Sequence, residues 1–86
     1  MTNCSTIMAV LLDKRTDAAP TVQEILTKYG CIISSRIGLH QTGECAEEGL
    51  IILHLCGEDG EIDKLQQELT EVYRVKVKKM EIRFDD

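Results

Sequence analysis

The hydrophobic and polar positions of this chain follow two different periods, and the period changes several times along its length. Thr6 to Asp13 (TIMAVLLD) is a short apolar run of strand length. Hydrophobic residues then recur at i, i+3, i+4 and i+7, which places them on one stripe of a helix that ends at Gly30. This stripe consists of Val22, Ile25, Leu26 and Tyr29. The helix begins either at Asp17 or in a capping box formed by Thr21 and Glu24.

The second half of the chain predicts two strands, a helix and a last strand. Ile32 to His40 and Leu50 to Cys56 have strand character, and the polar loop QTGECAEEG between them indicates a hairpin. Acidic residues then precede a second amphipathic helix, which runs to about Tyr73. Val75 to Phe84 forms the closing strand, and a slip in its alternation near Lys78 indicates a bulge.

The order of the predicted elements is βαββαβ, over residues 1–86 taken as one domain. Two right-handed crossovers that share a sheet predict an α+β, ferredoxin-like sandwich with antiparallel strand order 4-1-3-2 and both helices on one face. In the third strand, Leu50 and Ile52 are apolar on the side that no helix covers. A second subunit is the simplest cover for that side, so both residues are candidates for the interface of a homo-oligomer.

Charge and composition narrow the classes of partner. The net charge of −5 disfavours phosphate backbones, and the few aromatic side chains offer no stacking platform for bases, so no direct contact with nucleic acid is expected. The apolar run from Ile7 to Leu12 is too short for a signal peptide or a membrane span. We therefore expect a cytoplasmic protein that does not enter the membrane, with its cysteines as free thiols, ligands or core fillers.

His54 and Cys56 are the strongest metal-ligating pair, because residues two apart on a strand share a face. We expect Ile37 and Leu39 to face the helices, a register that puts His54 beside the cation Arg36. In that register His40 lies about four residues from His54, roughly 13 Å at ~3.3 Å per residue, so one ion cannot join them within a subunit.

The cysteines add a second possible cluster. Cys4, Cys31 and Cys56 are predicted to meet at one end of the sheet, but strand parity puts Cys31 on the helix side and Cys56 on the open side. The chain contains no CxxC, which is the strongest sequence signal for zinc or redox chemistry. We expect no cofactor, and a divalent metal remains the alternative.

Four segments carry a resemblance to a known family: VQEILTKYG, SRIGLH, GLIILHLCGED and LTEVYRVKVKKMEI. The chain resembles regulators of the iron-only hydrogenase system, small proteins similar to ACT domains and to the C-terminal domain of the nickel-responsive regulator. Its most specific pieces are Arg36-Ile-Gly38 and Val75-Lys-Val77. The resemblance implies a regulatory module that associates through its sheet and, if it regulates transcription, acts through another protein.

The resulting hypothesis is a non-enzymatic regulator, since no serine or cysteine has a context that indicates activation by histidine. ACT domains bind small effectors at the loop after the first strand, although Thr21 stands where a glycine would help the backbone approach a ligand. The candidate ligand-binding residues, in this loop and on the open face, are Asp13, Arg15, Asp17, Arg36, His40 and His54. The alternative is a nickel- or zinc-responsive sensor with ligands that include His54 and Cys56, shared across subunits.

Overall fold

The computed structural model describes residues 2–39 and 48–84 of the chain. Its elements are β1 (Asn3–Asp13), α1 (Ala18–Lys28), a 3-10 turn (Gly30–Ile32), β2 (Ile33–Leu39), β3 (Glu48–Gly57), α2 (Asp59–Thr70) and β4 (Val75–Glu81). Neither helix in this described part has the length and apolar character needed to cross a bilayer.

The four strands form one sheet in the order β2-β3-β1-β4, and every neighbouring pair is antiparallel. This is the predicted order 4-1-3-2 counted from the opposite edge, so the α+β, ferredoxin-like architecture is confirmed. β1 and β3 are central, as the crossover rule requires.

The hydrophobic core lies between the helices and one face of the sheet. Alternate residues of β1 and β3 point into it, as the period of two requires, and the apolar stripes of both helices meet them. The buried members are Met8, Val10, Leu12, Ala18, Val22, Leu26, Ile32, Ile51, Leu53, Leu55, Ile62, Leu65, Leu69 and Val75. Within residues 2–39 and 48–84, the opposite face of the sheet therefore has no helical cover.

The structure decides between the two predicted starts of the first helix. α1 begins at Ala18 with Asp17 in the N-cap position, and Pro20 lies in the first turn, where its missing N–H is not needed. The hydroxyl of Thr16 accepts a hydrogen bond from the backbone N–H of Ala18 at 3.3 Å. Thr21 therefore lies within the helix and does not cap it.

The predicted register of the hairpin is wrong by one residue. Ile33 pairs with Leu55, but Ser35 already pairs with His54, so β2 contains one extra residue at this point. A single inserted residue moves every later side chain of a strand to the other face. Ile37 and Leu39, predicted to face the helices, consequently lie on the open face.

The predicted bulge near Lys78 is also wrong. β4 pairs with β1 without interruption from Val75 to Glu81, and the apparent slip in alternation arises because Lys79 points to the helix side. There its ammonium group forms an ion pair with Asp63 of α2, which satisfies the charge. A register shift occurs instead near the start of β1, in the pairing with β3.

Candidate functional site

The open face of the sheet carries an apolar patch that we call the open-face patch. Ile37, Leu39 and Met80 are 58%, 45% and 55% exposed, respectively. These three residues pair in register with half-buried apolar residues of the central strands. The patch consists of Ile7, Ala9, Leu11, Ile37, Leu39, Leu50, Ile52 and Met80. A continuous apolar surface built from four strands indicates a contact surface for a macromolecule.

Lysines border this patch on one side. Lys76 and Lys78 of β4 pair with Leu11 and Ala9 of β1, so they share the open face with the patch, and both are exposed. Lysines on an edge strand discourage pairing of that edge with another strand. The accessible part of the surface is therefore the sheet face rather than the β4 edge.

Asp13 holds the loop that follows β1. Its carboxylate is buried and accepts hydrogen bonds from the side chain of Arg15 at 3.0 and 2.9 Å and from Nε of Arg74 at 3.2 Å. The hydrogen bonds from Arg15, and then that from Arg74, hold the pKa of Asp13 well below its usual range. Both carboxylate oxygens are occupied inside the chain, so Asp13 shapes the loop and a ligand would compete with two arginines.

Asp17, by contrast, lies on a groove between the two helices. The groove has a volume of about 670 Å³. It lies between the start of α1 and the end of α2, and its lining includes Asp17, Thr21, Ile25, Glu71, Val72 and Tyr73. Sequence reasoning placed Asp17 in a ligand loop but missed the α2 side of this groove, because the two helix ends are some fifty residues apart in the chain.

Glu68 sits on the same groove and links the helices. It accepts hydrogen bonds from Nζ of Lys28 at 3.0 Å and from the hydroxyl of Tyr29. The hydrogen bond from the Tyr29 hydroxyl has the largest effect in lowering the pKa of Glu68, and the hydrogen bond from Lys28 has the next largest. The same contacts raise the pKa values of Tyr29 and Lys28. The groove therefore keeps an ionised carboxylate at neutral pH.

The other predicted ligand residues are divided between the two faces. Arg36 pairs with Leu53 and donates a hydrogen bond to Oε1 of Gln23 on α1 at 2.8 Å, so it lies on the helix side. His54 lies on the open side opposite Ser35, and the expectation that Arg36 is its neighbour on that face is wrong. His40 lies outside the described residues.

Cys4 and Cys56 form a disulfide between β1 and β3. The expectation of free thiols is therefore wrong for this pair, although their predicted proximity at one end of the sheet is confirmed. His54 donates from Nε2 to the carbonyl oxygen of Cys4 at 2.8 Å, since a carbonyl can only accept. Cys31 is free and exposed, and Cys45 lies outside the described residues.

The disulfide bears on the metal alternative. A disulfide sulfur has no thiolate to offer, and within residues 2–39 and 48–84 no group of three or more His, Cys, Asp or Glu side chains is arranged to hold a metal ion. A sensor that uses His54 and Cys56 would require the reduced pair, and it stays a prediction.

Comparison with known proteins gives matches in structure alone: no protein-family model matches the chain, and no curated protein matches it. An uncharacterised protein from Thermotoga maritima has a TM-score of 0.86 at 23% identity, with 96% of this chain and all of that chain covered (100%). At this identity the similarity shows the fold and carries no activity.

Two further solved structures have the same arrangement. A formyltetrahydrofolate deformylase from Pseudomonas putida KT2440 matches with a TM-score of 0.59 at 11% identity, over 95% of this chain and 29% of that one. CPII, a nitrogen regulatory PII-like protein from Thiomonas intermedia K12, matches with a TM-score of 0.52 at 10% identity, over 96% of this chain and 99% of that one. That structure contains ADP, AMP and bicarbonate. The fold thus occurs both in an enzyme and in a small regulatory protein.

Proposed function

We propose that this chain is a small, non-enzymatic regulatory module of the ACT-like type, which binds a second copy of itself through the open-face patch. The observation that carries the proposal is the exposure of Ile37 and Leu39 beside the half-buried Leu50 and Ile52, on a sheet face that neither described helix covers. Two such faces in contact would remove this apolar area from water, which is the dominant favourable term in protein association.

In a dimer with a two-fold axis, the open-face patch of one copy meets the same patch of the other. The lysines at the β4 border favour an arrangement in which β4 of one copy lies away from β4 of the other, since like charges repel. This arrangement places the more exposed β2 residues, Ile37 and Leu39, inside the interface.

The effector would be a small molecule bound next to the β1–α1 loop. Asp17 lines the helix groove, while Asp13 and Arg15 set the shape of the loop that leads to it. A screen should contain amino acids, as the ACT-like proposal requires. It should also contain ADP and AMP, because the PII-like neighbour is bound to both. Binding would raise the melting temperature of the protein, and the rise would grow with the logarithm of the ligand concentration once that exceeds the dissociation constant.

The regulatory context is proposed from the sequence resemblance. The segments around Arg36-Ile-Gly38 and Val75-Lys-Val77 suggest a role in the iron-only hydrogenase system, in the cytoplasm and through a partner regulatory protein. Deletion of the gene in its host, followed by measurement of hydrogenase transcript and activity, tests this context. Unchanged hydrogenase levels would contradict the link while leaving the oligomer proposal intact.

The oligomer is tested by light scattering of the purified chain and two double variants. Leu50→Lys with Ile52→Lys, and Ile37→Lys with Leu39→Lys, should each reduce the mass to that of one chain, because each puts two charges into an apolar interface. Tyr73→Lys is the matched control, since Tyr73 is 79% exposed but lies after α2, away from the patch. A monomeric wild-type chain, or patch variants with unchanged mass, would contradict the proposal.

A further inference from the structure

The disulfide between Cys4 and Cys56 lies at the end of the sheet, outside the hydrophobic core. Cys4 is exposed and Cys56 is half-buried, and neither contributes to the set of buried core residues. We propose that Cys4 and Cys56 form a reversible thiol–disulfide site, which a dithiol reductant opens and an oxidant closes while the fold persists. This proposal goes beyond the regulatory module and does not depend on it.

The sheet does not need this bond to stay together. Beyond the register shift, β1 pairs with β3 from Thr6 to Asp13 and with β4 from Thr6 to Leu12. The buried side chains of β1 pack in the core along this same stretch. Opening the disulfide therefore removes one cross-link at the end of a strand pair that remains hydrogen-bonded along most of its length.

Other contacts keep the two cysteines close after reduction. Asn3 donates a hydrogen bond to Oδ1 of Asp59 at 3.1 Å, the backbone N–H of Ile82 donates to the carbonyl oxygen of Ser5 at 3.0 Å, and His54 donates to Cys4 at 2.8 Å. These bonds join the first residues of β1 to the start of α2, to the residue after β4 and to His54 of β3, which is two positions from Cys56. Two thiols that are held side by side form a disulfide again far more readily than two free thiols in solution.

The reaction balances as an ordinary thiol–disulfide exchange. A thiolate of the dithiol attacks the exposed Cys4 sulfur, and the Cys56 sulfur leaves as a thiolate that takes a proton. The second thiol of the reductant then displaces Cys4, which also takes a proton. The protein gains two electrons and two protons, and the dithiol becomes a disulfide. In a reducing compartment such a bond is transient, which fits a switch better than a permanent cross-link.

The site borders the open-face patch. Cys56 follows His54 on the open side of β3, and Cys4 precedes Ile7, a member of the patch. Reduction leaves residues 3–5, at that end of the patch, held by these hydrogen bonds without the covalent link. We expect the redox state to change how tightly a second copy binds there; this consequence alone rests on the proposed function.

The test uses the full chain with Cys45→Ser, so that Cys31 is the internal control. The protein is equilibrated in buffers with graded ratios of reduced to oxidised dithiothreitol, alkylated, and analysed by peptide mass spectrometry. We expect Cys4 and Cys56 to become alkylated together in one two-electron step and to be protected again on reoxidation, while Cys31 is alkylated at every ratio. Resistance to reduction until denaturant unfolds the chain would overturn the proposal.

Hydrogen exchange on the reduced and oxidised forms provides the second readout. The reduced form should keep the protection of Ile51–Leu55 and lose protection only at residues 3–5. Loss of protection along the whole of β3 would show that the bond is a structural cross-link and would overturn the proposal. Light scattering of both forms separately tests whether the redox state changes the association of two copies. Equal mass of the two forms over a dilution series would contradict that effect but not the thiol–disulfide site.

Discussion

At the scale of single residues, the glycine that ends β3 shows how closely the 3-10 turn packs on the sheet. A Cβ atom added at Gly57 would lie 2.7 Å from Cγ2 and 3.0 Å from Cβ of Ile32, a buried and stiff branched side chain. Gly38 on β2 has no such neighbour among the described residues, none of which has an atom within 4 Å of the position of its added Cβ atom. The two glycines therefore form a matched pair for one experiment.

We predict that Gly57→Ala lowers the free energy of unfolding by about 1–3 kcal/mol, because the turn must shift to make room for the methyl group. Gly38→Ala should change that free energy by no more than about 0.5 kcal/mol, as is usual for an exposed position. Urea unfolding followed by circular dichroism measures both. Equal effects of the two substitutions would show that the contact with Ile32 relaxes without loss.

At the scale of elements, the Asp13 carboxylate joins the loop after β1 to the turn before β4. Arg74 has a left-handed backbone conformation, with φ at 63°, and its carbonyl accepts a hydrogen bond from the N–H of Asp13 at 3.1 Å. The side chains of Arg15 and Arg74 both converge on the Asp13 carboxylate. One acidic residue therefore fixes two chain reversals at the same end of the sheet.

The lowered pKa of Asp13 predicts an acid-sensitive contribution to stability. The contribution is fully present above the unfolded-state pKa of aspartate, about 3.9, and is lost as the pH falls below that value towards the folded-state pKa. Asp13→Asn should remove it, so the stability of the variant should depend less on pH below 4 than that of the wild type. Urea midpoints measured between pH 2 and 7 test this, with Asp17→Asn as the control. If the midpoints of Asp13→Asn and the wild type depended on pH in the same way, the prediction would be contradicted.

At the scale of the whole molecule, the open-face patch couples stability to association. If two copies cover the patch, unfolding and dissociation are linked, and the melting temperature of the wild type should rise with protein concentration. The Ile37→Lys, Leu39→Lys double variant should melt at the same temperature at every concentration. Differential scanning calorimetry over a hundredfold range of concentration measures both, and a wild-type melting temperature that does not depend on concentration would contradict the pairing of two copies through the patch.

The order of elements followed from hydrophobic periodicity. A helix that covers one face of a sheet shows apolar residues every three or four positions, whereas a strand of the sheet shows a short apolar run. Val22 and Leu26 carried that signal for the first helix and are buried as expected. The crossover rule then left one strand order. Leu50 and Ile52 also revealed from sequence that the open face is apolar, because their neighbours Ile51 and Leu53 fill the core.

Tertiary structure alone decided the rest, because it depends on how strands are paired and on contacts between distant residues. One extra residue in β2 turned Ile37 and Leu39 to the open face, and local sequence does not specify such an insertion. Lys79 reads as a break in alternation until Asp63 on α2 is seen beside it. The same holds for Cys4 and Cys56, separated by 52 positions in the chain: composition argues for free thiols, while the pairing of β1 with β3 brings their sulfur atoms together.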